Sequence, residues 1–418
     1  MMFPLLELIN MALLSLLTVL MNPLFWGVLF LVYMQYKRIH ELEARMLGSE
    51  KSTMGEKMMN AVVMGILGGI LGTVVIMVLG VTVTLGDFTY LLPLAILLMV
   101  IHVRYLCFSY GGGLLALSSL IFGFPKVNVP GVMVIVGILH LVESILMWLD
   151  GHKNATPILI EDKRYGIIGG FMLQRFWPVP FAILLVALGS LEGARELNLP
   201  DWWPIFRNSI EGIGIENLSL QISVVVAALG YGDMALSGTP REKSKKSAVK
   251  LLFFSIILIL LSVLAVRYAI FQWLAALFSP LGHEALIIYG QREEKKKEPM
   301  FRQYGRGITV LDTKKEGHGE KMGLAPGDVI LTVNNYPVER KEDMEAILKD
   351  YPPFLWVEVL DRKGRYRTLE YKNYQTGIGS LGIIIVPKEA QIVFDPDASI
   401  SLLKKLISAF RRKGSPLS

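Results

Sequence analysis

Cysteine occurs once in 418 residues, at Cys107, inside an apolar stretch. That excludes an intramolecular disulfide, leaves no thiolate cluster for a metal, and makes a small buried hydrophobe the expected role of Cys107. Charge is scarce as well: Asp, Glu, Lys and Arg make up 19% of the chain against 53% hydrophobic residues, with a mean hydropathy of +0.48. A chain this apolar is a membrane protein rather than an ordinary soluble one. Catalytic signatures are missing too. A zinc-binding H-E-x-x-H would place two imidazoles on one helix face, but His40-Glu41-Leu42-Glu43-Ala44 and His283-Glu284-Ala285-Leu286-Ile287 both lack the second histidine. No G-x-S-x-G nucleophile turn occurs. Gly111-Gly112-Gly113 has no following Lys for phosphate and is expected to break a helix. No cofactor and no metal site is therefore expected, and the modest formal charge of +6 does not imply nucleic acid.

Apolar runs fill most of the first 290 residues, at Leu5-Met21, Leu24-Tyr36, Ala61-Leu85, Tyr90-Phe108, Leu114-Phe124, Gly131-Leu149, Val179-Leu191, Leu218-Leu236 and Leu251-Ile288. A crossing needs about 20 apolar residues, so the short runs at Leu24, Leu114 and Val179 read as broken, re-entrant or interfacial helices. Six to ten crossings are expected. Met1 to Asn10 has no positive n-region and no cleavage-site pattern, which predicts a retained segment. Among ionisable residues in these runs, His102, Arg104, His140 and Glu143 are functional candidates by position. His140 and Glu143, three apart on a helix, are expected to pair.

Basic residues predict the orientation. Lys37, Arg38, Arg45, Lys51 and Lys57, and later Arg241, Lys243, Lys245, Lys246 and Lys250, mark two cytoplasmic loops. The stretch from Glu192 to Asn217 is acidic and carries Trp202 and Trp203 as interfacial anchors, so it should face outward. Arg267 interrupts the last apolar run. A charge is tolerated at a turn far better than in mid-bilayer, so two crossings turning near Arg267 are expected, which places everything after Arg292 in the cytoplasm.

From about Met300 the pattern changes to short strands at Ile308-Leu311 and Val329-Val333, a helix over Lys341-Leu348, and a hairpin of Leu355-Leu360 and Tyr366-Tyr371 turning at Asp361-Arg362-Lys363-Gly364. Gly323-Leu324-x-x-Gly327-Asp328-x-Ile330-x-x-Val333-Asn334 resembles the PDZ domain signature. Its glycines permit the tight turn, Leu324 plugs the core, Asp328 caps the turn, and Ile330 and Val333 enter the small barrel. The resemblance implies peptide binding by strand addition. Ser380-Leu381-Gly382-Ile383 is the best match to the carboxylate-binding loop, and its late position resembles the permuted bacterial form. Ile383 and Ile385 would then offer a strand edge, with Met344, Ile347 and Leu348 lining the opposite wall. Gly305-Arg306-Gly307-Ile308 is a rival loop. A PDZ module beside membrane helices invites comparison with site-2 metalloproteases, but Leu149-Asp150-Gly151 alone matches their second motif, and Asp150 is expected to end a helix.

The expected fold is thus a polytopic α-helical membrane domain over 1–290, a small α+β, barrel-like and permuted PDZ domain over 300–388, and a basic amphipathic helix over 395–413. That last segment places Leu402, Leu403, Leu406, Ile407 and Phe410 at helical spacing among basic residues. Over its whole length this arrangement resembles the MinJ-like division-site selection proteins of Gram-positive rods. The resemblance implies a non-catalytic adaptor at poles and septum, joining a DivIVA-like polar protein to the MinC and MinD inhibitor. A membrane PDZ protein that regulates proteolysis is the alternative, and a transporter with an accessory module a third.

Overall fold

The computed structural model of the chain describes residues 3–47, 52–101, 103–188, 199–207, 218–389 and Phe394. His102, Lys51, most of the Glu192–Asn217 stretch and the basic tail over 395–413 lie outside the described residues.

The N-terminal region is built from helices α1 (Phe3–Ser15), α2 (Pro23–Leu47), α3 (Met54–Leu79), α4 (Leu85–Ile101), α5 (Phe108–Phe122), α6 (Val129–Asp150), α7 (Pro240–Arg267) and α8 (Ala269–Lys296). Local sequence sets their starts. Thr53 with Glu56, and Thr239 with Glu242, form reciprocal capping boxes on α3 and α7, and Asn128 accepts from the Gly131 amide at the start of α6. Among the described residues, four stretches, Pro4–Met21, Met54–Leu79, Val129–Asp150 and Pro240–Arg267, are long and apolar enough to cross a membrane, and Phe108–Phe122 is a shorter apolar helix. That is fewer than the expected six to ten.

Two of the apolar runs, Val179–Leu191, expected as a short or broken helix, and Leu218–Leu236, lie largely in strands. Gly166–Leu188 forms β3 and Leu218–Ala235 forms β4, an antiparallel ribbon in register from Phe171↔Ala235 onward. Pro178 and Pro180, two apart, disfavour a helix, and Ile222, Val224, Val225 and Val226 favour the extended chain. β1 (Thr82–Val83) pairs parallel with β3, and β2 (Thr156–Asp162) pairs antiparallel with it. Helix α3 lies directly on this ribbon. A Cβ on Gly65 or Gly69 would overlap the carbonyl of Pro178 or Pro180, so glycine is what permits the approach. Thr73 in turn accepts the Ala182 amide at 3.0 Å.

Other expectations also shift. Gly111, Gly112 and Gly113 do not break a helix but sit buried inside α5. Added Cβ atoms at Gly112 and Gly113 would strike Val136 of α6 and Pro280 of α8, so these glycines serve close helix packing. The basic groups read as loops lie largely on helices: Lys37, Arg38 and Arg45 continue α2, and Lys243 to Lys250 form the first turns of α7. Lys57 is buried against Glu43. Trp202 is exposed, but Trp203 is a core residue whose indole donates to the Met77 carbonyl at 2.9 Å. The turn expected near Arg267 is present. The chain breaks at Tyr268, and α8 returns beside α7 with Lys250 on Glu293 (2.5 Å) and Lys243 on Glu294 (3.3 Å).

The C-terminal region is sheet-rich. Strands β5 (Ile308–Thr313), β6 (Val329–Val333), β7 (Tyr336–Pro337), β8 (Phe354–Leu360), β9 (Tyr366–Lys372) and β10 (Ile383–Ile385) form one sheet in the order β10-β5-β6-β8-β9, with β7 beside β6. Helices α9 (His318–Met322) and α10 (Lys341–Leu348) accompany it. Its own core includes Leu324, Ile330, Val333, Leu355, Val357 and Ile378. Phe301, Leu311 and Val386 leave that core and join the core of the helical region instead. They meet at Gly169 of β3, whose amide donates to the Phe301 carbonyl at 2.7 Å.

Candidate functional site

The expected turn before β6 is built as its residues require. Gly323 and Gly327 have φ of +93° and +95°, values that favour glycine. Asp328 is buried, its carboxylate accepts the Ala325 amide at 3.1 Å, and burial raises its pKa. Leu324, Ile330 and Val333 are buried, and Asn334 accepts the Trp356 amide at 3.0 Å.

Strand β10 lies at one end of the sheet. It pairs with β5 through Ile383↔Thr313 and Ile384↔Asp312, slips by a bulge before Ile385↔Val310, and has no strand on its other side among the described residues. Ile383, Ile384 and Ile385 are all half-buried, as expected of an edge that is neither core nor free surface. The preceding loop is anchored from several sides. Ile378 is buried with its amide on Pro352, Gly377 and Gly379 pack against Tyr351, and Gly382 takes a φ of +63°. The Leu381 and Gly382 carbonyls accept the Gly319 and Lys314 amides, both at 2.7 Å, and the Gly382 amide donates to Ser380 Oγ at 3.1 Å. The rival loop at Gly305–Gly307 leads into β5, whose two sides are already taken by β6 and β10.

A cleft of about 210 Å³ opens beside this edge, lined by Leu311, Ile384, Ile385 and Pro387, by Lys341 at the start of α10, and by Pro157, Ile158 and Leu159 of β2. Of the helix residues expected in the wall, Ile347 is half-buried, while Met344 and Leu348 are buried in the core. Leu381 is likewise a core residue. The contribution of β2 was not legible in the sequence, because it depends on how the helical and sheet-rich regions dock. Asp343 fixes the start of α10, its carboxylate lowered in pKa by the Glu339 and Arg340 amides it accepts.

Two of the polar clusters in the helical region involve residues that the sequence singled out. Asp150 ends α6, as expected, but its buried carboxylate also binds Arg175 of β3, the Trp177 indole at 2.9 Å and Asn60 at 2.8 Å. Arg175 was not singled out by the sequence, although a lone cation beside Trp-Pro-x-Pro is the signal that would have found it. The expected His140–Glu143 pair is replaced. His140 places Nδ1 on the Val136 carbonyl at 2.7 Å and Nε2 on the Cys107 sulfur at 3.1 Å. Cys107 also meets His283 at 3.7 Å, so one thiol and two imidazoles converge, contrary to the expectation that no such set exists.

No family model matches the chain. Over 392 residues, covering 89% of this chain and 94% of the relative, it is 22% identical to the cell division topological determinant MinJ of Bacillus subtilis (strain 168).

Proposed function

We propose that the chain is a non-catalytic, membrane-anchored determinant of division-site placement, whose C-terminal region is a PDZ-type module that receives a partner peptide on β10. The observation that carries the reading is the open edge of β10, with its anchored loop and the cleft beside it. An extended ligand added there continues the sheet through main-chain hydrogen bonds, while side chains enter the cleft. The loop carbonyls of Leu381 and Gly382 are committed inward. Of the loop amides, that of Gly382 is held by Ser380 Oγ, so a ligand carboxylate would have to displace this hydroxyl to reach it.

The near full-length likeness to MinJ supports division-site selection as the process in which this module works. In this reading the partners are a DivIVA-like polar protein and the MinD component of the division inhibitor. The module faces the cytoplasm, and the protein concentrates at poles and septum. Confinement to the membrane raises the effective concentration of partners that are also membrane-bound, so a modest peptide affinity suffices.

The test is cellular. Deletion should give filaments and minicells, a fluorescent fusion should collect at septa and poles, and Ile385→Glu with Lys341→Glu should weaken partner capture about tenfold while the protein stays in the membrane. Uniform membrane signal together with normal division on deletion would overturn the reading.

A further inference from the structure

Cys107, His140 and His283 lie on three segments far apart in sequence, at the start of α5, the middle of α6 and the middle of α8. Their ligand atoms, one per residue, fall within 4.8 Å of one another. A zinc ion holds sulfur at about 2.3 Å and imidazole nitrogen at about 2.0–2.1 Å, and at tetrahedral angles this separates sulfur from nitrogen by roughly 3.5 Å. The observed separations, 3.1 and 3.7 Å, bracket that value.

Hydrogen bonding alone leaves the cluster poorly satisfied. With its Nδ1–H donated to Val136, His140 presents the Nε2 lone pair to sulfur. The thiol has a single proton and can give it to one imidazole only. His283 can then meet sulfur only as an Nε2–H donor across a long 3.7 Å contact, and its Nδ1 is buried without a hydrogen-bond partner. A cation bound by three lone pairs would replace the two sulfur contacts with direct bonds, while His283 Nδ1 stays without a partner in either case. The backbone bond to His140 Nδ1 is also the kind of outer contact that fixes a metal-binding tautomer.

The surroundings hold the imidazoles in place. Phe254 meets the ring of His140 at 5.4 Å and that of His283 at 5.7 Å, and Tyr110 meets His283 at 5.4 Å, all edge to face. Next to His283, Glu284 is tied to Tyr110 at 2.5 Å and to Arg104 at 3.0 Å, which fixes the rotation of α8 against α5. Glu143 lies one turn beyond His140 on α6.

We propose that Cys107, His140 and His283 form a binding site for one soft or borderline transition-metal cation, of the zinc(II) and copper(I) class, that clamps α5, α6 and α8 together. Binding forms the metal–sulfur bond and releases the thiol proton to solvent.

The test uses the full chain in detergent, reduced and stripped with a chelator. Cobalt(II) is titrated as the zinc probe and read by thiolate-to-cobalt charge transfer in the near ultraviolet, and copper(I) is titrated in competition with a chromogenic chelator. One equivalent of either ion should bind, with zinc displacing cobalt. Cys107→Ser should abolish the charge-transfer band, and both Cys107→Ser and His283→Gln should weaken retention at least tenfold. A cobalt band assigns the zinc-like ion, and copper retention without it assigns copper(I). Because Cys107 is the single cysteine, protection of the unmodified chain from N-ethylmaleimide by zinc or copper(I), at least tenfold in rate, tests the site without any substitution. Absence of stoichiometric binding by both ions, or binding that survives Cys107→Ser undiminished, would overturn the proposal and leave a hydrogen-bonded thiol cluster.

Discussion

Asp150 collects donors from Arg175, Trp177, Asn60 and Lys153 on one carboxylate, and neither it nor Arg175 is exposed. Removing one charge of a buried pair strands the other, at a cost of about 3–5 kcal/mol. Asp150→Asn should therefore lower the thermal midpoint of the detergent-solubilised chain far more than Asp162→Asn, whose partner Arg164 is on the surface. Equal shifts in differential scanning would show that the buried pair is not a keystone. At the β8–β9 turn, the Arg365 amide and then its guanidinium hold Asp361 at a pKa of about 2, below the ordinary carboxyl value of about 3.9. A lowered folded-state pKa contributes stability that is complete above about pH 4 and is lost as pH falls toward 2. Amide exchange at Lys363 and Arg365, which donate to this carboxylate, should accelerate across that window and be insensitive to it in Asp361→Asn. Buried Asp328, with its pKa raised, works in the opposite sense, so the turn before β6 does not share this acid weakness.

The contact between α3 and β3 depends on a strip of backbone rather than on side chains. Gly69→Val would drive a branched side chain into the Pro180 carbonyl, and overpacking of this kind costs typically about 1–3 kcal/mol. Gly290→Val, on an open face of α8, is the matched control, and a fall in thermal midpoint confined to the Gly69 variant is the expected result. Elements differ in how far they could be read in advance. The strands, helix and hairpin of the C-terminal region were legible because alternation, turn residues and the Gly-Asp turn coincide within a few residues. The β3–β4 ribbon was not. An apolar run lacks the polar partners that reveal a period, so Leu218–Leu236 reads equally as a buried helix until its β-branched residues and the prolines opposite are weighed. The same blindness applied to Gly111–Gly113, which locally signal a break but are tolerated in a helix crowded by α6 and α8.

At the scale of the whole molecule, the helical and sheet-rich regions are not simply tethered. Gly169 receives Phe301, Leu311 and Val386 with no room for a side chain, and β2 completes the cleft beside β10. Gly169→Leu should loosen this docking, exposing the segment after Arg292 to added protease while both regions remain folded. Unchanged cleavage would show that the interface tolerates the bulk. Orientation is open to a direct measurement, since a single native cysteine makes labelling simple. In a Cys107→Ser background, Lys315→Cys on the exposed turn after β5 should react with a membrane-impermeant maleimide only after cells are permeabilised. Reaction in intact cells would place the C-terminal region outside and remove the proposed division partners.

Composition and local pattern by themselves determined the long apolar helices of the first part of the chain, the late sheet-rich region, the turn chemistry around Gly327 and the reversal at Arg267, because each rests on residues close together in sequence. Only the tertiary structure decided that β3 and β4 are strands, that β10 is an edge and β5 is not, and that Cys107, His140 and His283 meet. Those outcomes depend on which surfaces remain after distant segments pack, and a linear pattern holds no record of that competition.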